Sequence, residues 1–176
     1  MTDVSALCER FNAQSAQEKW QAVCDSALVF DSGRLADLLR IWQSVRGDRA
    51  LPERADFTAR ILAKHLPNLT FVERVETPGQ ERRYRFRLFG SALAQYTGDW
   101  TGRFLDDSIP AAFQQSWLAT YDTVIAARVP LRFVSRFRAE HLHHVQAETL
   151  IAPLGGGSGT ANGLLVSVVY SPFVPR

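Results

Sequence analysis

The sequence predicts an α+β protein: helices first, then two strands, a helical stretch and three further strands, the five strands forming one antiparallel sheet with helices on one face. Three observations carry this. Apolar residues recur at helical spacing over 35–42 and 113–125, and alternate for the most part with polar ones over 82–89 and 131–139. Turn formers stand at the junctions, at Asp31-Ser32-Gly33, Thr77-Pro78-Gly79 and the glycine-rich run 155–159. The length of 176 residues, 46% hydrophobic and 22% charged, suffices for one core without a disulfide or metal staple.

Residues 4–30 place Val4, Leu7, Phe11, Trp20, Val23, Ala27 and Leu28 largely at helical spacing around a polar middle. They read as two short helices or one half-exposed helix, an extension spanning 1–32 ahead of a main domain at 33–176. Asp31 or Ser32 is an N-cap candidate for a helix over 33–46, with Leu35, Leu38, Leu39 and Trp42 on one face. After Leu51-Pro52, Asp56 is expected to cap a helix carrying Phe57, Ile61, Leu62 and Leu66, which Pro67 ends. Residues 69–76 are extended. In the strand over 82–89, Tyr84, Phe86 and Leu88 share one face and Arg83, Arg85 and Arg87 the other. Short helices and turns fill 91–107. Ile109-Pro110 then opens a longer helix over 111–127 with Phe113, Trp117, Tyr121, Val124 and Ile125. Strands over 131–139, 145–154 and 162–170 finish the chain. The last is nearly all apolar and is therefore expected at the centre of its sheet.

Composition excludes several classes. Lys+Arg 20 against Asp+Glu 18 leaves +2, too little to mark a nucleic-acid binder. Cys8 and Cys24 are not spaced as a CxxC pair and read as two reduced thiols. The first eleven residues carry Asp3, Glu9 and Arg10, unlike a secretion signal, and no run of about 18 apolar residues could span a membrane. The cytoplasm is the expected compartment.

Four segments in order resemble a PAS-domain family common in alphaproteobacteria. Leu38-Leu39-x-x-Trp42-x-x-x-Arg46-Gly47-x-Arg49-x-x-Pro52-x-Arg54-x-Asp56-Phe57, followed by Leu66-Pro67, resembles its entry segment. Tyr84-x-x-x-Leu88-Phe89-Gly90-Ser91 with Gly98-x-x-Thr101-Gly102-Arg103 is similar to its core, and Glu148-x-Leu150-x-x-Pro153-Leu154 to a late strand. The resemblance covers about residues 35–170 and departs at Ala59, where the family often has proline. It implies a PAS fold with a cavity between the sheet and the helical insert, and a non-catalytic sensor or adaptor that binds a small molecule, a signalling protein partner, or both. It also suggests a homodimer through the N-terminal helices, in which the stripe Phe11, Trp20, Val23 and Leu28 meets its symmetry mate; the alternative is that this stripe folds back over its own sheet. A chain of this length is expected to lack an output domain and to signal by association.

Candidate chemistry narrows accordingly. Tyr84, Phe86, Trp117, Tyr121, Phe133, Ser135 and Phe137 are expected to wall the cavity, a mostly apolar surface with a few orienting polar groups. Arg83, Arg85 and Arg87 offer a basic strip for an acidic partner or anion, and Arg132, Arg136 and Arg138 a second strip on the opposite edge strand. No flavin is expected: Gly102-Arg103-Phe104-Leu105-Asp106 resembles the photoreceptor motif but lacks its cysteine. No haem is expected, because the helix over 111–127 has no histidine and His65 reads as a surface or boundary residue. His141, His143 and His144 read as a solvated hairpin rather than a metal site. No catalytic residue is assigned. The alternative is a small-molecule-binding enzyme of ketosteroid-isomerase-like α+β fold, which would need an oriented base at the pocket floor.

Overall fold

The computed structural model describes residues 3–136, 145–157 and 159–172. In chain order its elements are α1 (Val4–Gln17), β1 (Ala22–Asp25), α2 (Gly33–Arg46), α3 (Ala59–Leu62), β2 (Leu69–Val75), β3 (Arg83–Phe89), α4 (Ser91–Thr97), α5 (Leu105–Ser108), α6 (Ala111–Ala127), β4 (Leu131–Arg136), β5 (Val145–Gly155) and β6 (Ala161–Pro172). The sheet has six strands rather than the expected five, in the order β1-β4-β5-β6-β2-β3, each antiparallel to its neighbours.

The sixth strand is β1, which lies in the segment expected to be helical. Four residues are too few to display an alternation, and their extended state depends on neighbours on both sides. One side pairs with β4, Cys24 opposite Phe133. The other is held by side chains of α1. Asn12 donates to the Cys24 carbonyl (3.0 Å) and accepts from its amide (2.7 Å), while Ser15 does the same for Ala22 (2.6 and 3.3 Å). A helix thus covers an edge that would otherwise present free backbone groups to another chain. The reversal from α1 to β1 uses left-handed backbone at Lys19 and Gln21 (φ 56° and 57°), which turns Trp20 inward. Phe11 and Trp20 are buried, and Phe11 meets Phe133 edge-on at 5.2 Å. Of the stripe Phe11, Trp20, Val23 and Leu28, the first two are thus covered by the chain itself, whereas Val23 is exposed and Leu28 half-buried.

Helices cover both faces of the sheet, not one. On β5 and β6, Ala147, Thr149, Ile151, Val166 and Val168 face the α4–α6 side. Their alternates Leu150, Ala152, Leu154, Leu165 and Ser167 are equally buried, beneath α2. Central strands that are apolar on both sides need cover on both sides. α2 supplies it with Leu35, Leu38 and Trp42, whose indole N–H donates to the Pro153 carbonyl (3.0 Å). Glu148, on the same face, accepts from the amides of Asp31 (3.0 Å) and Ser32 (2.9 Å) and so anchors the chain just before α2.

Asp56 does not cap a long helix. Its carboxylate turns back to the Glu53 amide (2.7 Å), closing a one-turn 3₁₀ segment, and Thr58 caps the four-residue α3 instead. Gly90 opens α4 hard against the preceding connection. A Cβ there would lie 2.6 Å from the Leu66 carbonyl oxygen and would also collide with that of Pro67.

Candidate functional site: an aromatic cavity

Between the inner face of the sheet and the α4–α6 side lies a cavity of about 340 Å³. Phe86 and Phe89 of β3 close one end with Trp100, their rings 5.4 and 5.0 Å from the indole. Phe113 and Trp117 of α6 form the roof, Phe133 of β4 and Ile151 of β5 the floor. Trp20 and Ala22 join the wall, so the N-terminal segment takes part in it. Alternation on the strands and the i, i+4, i+8 spacing of Phe113, Trp117 and Tyr121 aim these side chains inward.

Two pairs of hydroxyls on this wall differ in how they are met. Ser116 and Thr120 are spent within α6, donating to the carbonyls of Phe113 and Ser116 (2.8 Å each). The hydroxyls of Thr70 and Tyr121 are buried without a hydrogen-bond partner among the described residues. Burial pushes the Tyr121 phenol far up, with neighbouring Tyr84 adding to it, so it stays a neutral donor and acceptor. Among the described residues the lining includes no Asp, Glu or His, and Arg136 is the one charged residue there. Among the described residues, then, no oriented carboxylate or imidazole base stands on the wall, and the isomerase alternative finds no support here.

Of the expected wall residues, the fold brings Phe86, Trp117, Tyr121, Phe133 and Ser135 to the cavity. Tyr84 lies behind it. Its ring meets Tyr121 edge-on at 5.2 Å, and its hydroxyl donates to Asp122 (2.6 Å), which Arg82 also grips (2.9 Å). Burial, then that carboxylate, push the Tyr84 phenol up. Phe137 lies outside the described residues, as do Arg138, His141, His143 and His144. Sequence reasoning missed Trp20, Thr70, Trp100 and Tyr170. Thr70 and Tyr170 were legible as alternates of their strands. Trp100 lies between elements and carries no periodic signal, whereas Trp20 reads as part of a helical stripe, although α1 ends at Gln17 and the residue falls in the connection to β1.

The arginines are engaged. Arg83 pairs with Asp106 (2.8 Å) and Asp107 (3.0 Å) and lies over the Phe104 ring at 3.8 Å, and the Asp106 hydrogen bond holds its guanidinium more firmly protonated. Arg85 pairs with Glu73 (2.8 Å), which Arg87 also approaches (3.8 Å). Arg83, Arg85 and Arg87 do lie on an edge strand, but Arg132 does not, because β1 covers β4. Arg132 is mostly buried and bridges Asp25 (2.9 Å) and Glu148 (2.7 Å). His65, expected near the surface, is buried with Nδ1 unpartnered, and burial lowers its pKa. The Gly102–Asp106 stretch runs beside β3, with backbone bonds joining Phe86 to Gly102 (2.6 Å) and Arg103 (2.9 Å). Neither Cys8 nor Cys24 lines the cavity. Among the described residues no helix is long and apolar enough to cross a membrane, and no group of three His, Cys, Asp or Glu could hold a metal ion.

An antiparallel sheet that bounds a ligand-sized, aromatic space beneath a helical insert defines an α+β domain of the pocket-bearing class. The chain belongs to the PAS-domain family, whose sequence model matches residues 31–168, a family of sensory signalling domains. No curated protein matches the chain. Among solved structures, one described as an RNA-binding light-oxygen-voltage receptor is similar at 15% identity and a TM-score of 0.38, over 67% of this chain. The chain spans 35% of that protein's length.

Proposed function

We propose that this protein is a cytoplasmic, non-catalytic sensor whose cavity takes a small, neutral, ring-bearing molecule and whose ligand occupancy is read by a signalling protein. The observation that carries this is the pairing of an aromatic wall with two buried hydroxyls, Thr70 and Tyr121, that have no partner among the described residues. Unmet buried polar groups cost stability, and a bound molecule that offers them an acceptor or donor recovers it. Size and charge narrow the class. At protein packing density the space holds roughly 250 Å³ of ligand, one or two fused rings. With no carboxylate and one arginine among the described residues of the wall, a cation is disfavoured. Because Trp20 and Ala22 belong to the wall, occupancy bears on how the N-terminal segment sits, which gives a partner a surface to distinguish.

Native mass spectrometry of the purified chain tests for a co-purified small molecule, and calorimetry with indole and 2-naphthol tests the class directly. Binding of either probe that is lost when Thr149 is replaced by Trp to fill the cavity supports the reading. Absence of a co-purified molecule together with no binding of either probe at millimolar concentration overturns it.

A further inference from the structure

Cys8 and Cys24 play no part in the cavity, yet both are buried and their sulfurs lie 3.3 Å apart. Cys8 sits on α1 and Cys24 in β1, with Asn12 and Ser15 fastening the same two elements alongside. We propose that these two cysteines are a dithiol–disulfide site that staples α1 to β1 under oxidising conditions.

The geometry needs little change. The sulfurs must close by about 1.2 Å to reach a bonded length of about 2.05 Å, a displacement side-chain rotation supplies. The chemistry is thiol–disulfide exchange with a low-molecular-weight disulfide, RSSR. Cys24 donates its S–H to Cys8, and burial, Cys8 and Asp25 together hold the Cys24 thiol protonated, which suits Cys8 to attack first. Cys8, deprotonated, displaces RS⁻ and forms a mixed disulfide. Cys24 then gives up its proton, attacks the Cys8 sulfur and expels a second RS⁻. Two protein thiols and one RSSR become one protein disulfide and two RSH, so the protein loses two electrons and two protons to the reagent. Burial makes the entry step wait for α1 to lift from β1, so the pair is slow to oxidise while docked and closes the segment once joined. The cross-link spans a short loop and makes separation of α1 from β1 about 10²-fold rarer.

The amides of Ala22 and Cys24 report that separation directly, because they are bonded to α1 side chains. The full chain is equilibrated in glutathione buffers from fully reduced to fully oxidised, quenched, alkylated and mapped by mass. Hydrogen exchange at the two amides is followed by NMR. The expected result is an intramolecular Cys8–Cys24 disulfide in the oxidised buffers, exchange at both amides slowed about 100-fold, and reversal by a dithiol reductant. Cys24→Ser stops at a mixed disulfide on Cys8 without the slowing. Free thiols in the folded chain, under a buffer that oxidises the urea-unfolded chain, overturn the proposal. So does a disulfide that leaves exchange at these amides unchanged or faster. The proposal does not depend on what occupies the cavity, and its test needs no ligand.

Discussion

Removing one oxygen from Tyr121 should make the ligand-free protein more stable. The residue is 1% exposed and its hydroxyl has no partner, whereas its ring keeps edge contacts with Tyr84 and Trp117 at 5.2 and 5.7 Å. Phenylalanine retains those contacts and discards an unmet polar group that costs about 1–3 kcal/mol when buried. The vacated oxygen leaves a small void that returns a few tenths of a kcal/mol. The net gain is about 1 kcal/mol, an increase in Tm of roughly 2–4 °C for a chain of this size. Tyr84→Phe is the opposing control. Its hydroxyl donates to a carboxylate at 2.6 Å, so its loss costs about 1.5–3 kcal/mol. Two tyrosines in contact should thus respond with opposite signs in scanning calorimetry and urea unfolding. For a probe that bonds the Tyr121 hydroxyl, the same substitution should weaken binding about tenfold. If Tyr121→Phe instead lowers stability by 1 kcal/mol or more, the hydroxyl is already satisfied in the folded chain, and the argument that the cavity awaits a hydrogen-bonding ligand fails.

Three further outcomes test the fold around the site. Glu148→Gln breaks a mostly buried ion pair with Arg132 and weakens the anchor on the Asp31 and Ser32 amides; urea unfolding should show a loss of about 3 kcal/mol. Burial holds folded His65 below the ordinary imidazole pKa, with Asp37 opposing and Arg34 and Lys64 assisting, so the unfolded chain binds a proton that the folded chain declines. Stability from this source is complete above about pH 6.5 and falls as pH drops through that value toward the folded pKa, and His65→Gln should flatten this stretch of the stability–pH curve. Gly90→Ala drives a Cβ into the Leu66 and Pro67 carbonyls and should cost about 3 kcal/mol, measured by thermal unfolding, whereas Gly33→Ala, with open space around it, should be neutral within about 0.5 kcal/mol.

What the sequence determined by itself is periodic. The inward set Phe86, Trp117, Tyr121 and Phe133 follows from 3.6- and 2-residue repeats that local backbone geometry imposes, the bounds of α2 and α6 from those repeats with the turn and cap residues beside them, and the central place of β6 from its unbroken apolar run. The motif residues that carried the resemblance also proved to have legible physical work: Trp42 bonds Pro153, Glu148 anchors the start of α2, and Gly90 permits a close backbone approach. Tertiary structure decided the rest, because it depends on pairs far apart in the chain. Ala22–Asp25 became a strand since β4 offered an open edge about 110 residues later and α1 had Asn12 and Ser15 at the right turn of helix. The pairing of Arg83 with Asp106 and Asp107, and the burial of Arg132 between Asp25 and Glu148, have no periodic signature. The cavity is the extreme case. A void is defined by what fails to meet across it, and a one-dimensional pattern that names which side chains point inward says nothing of how far apart their ends remain.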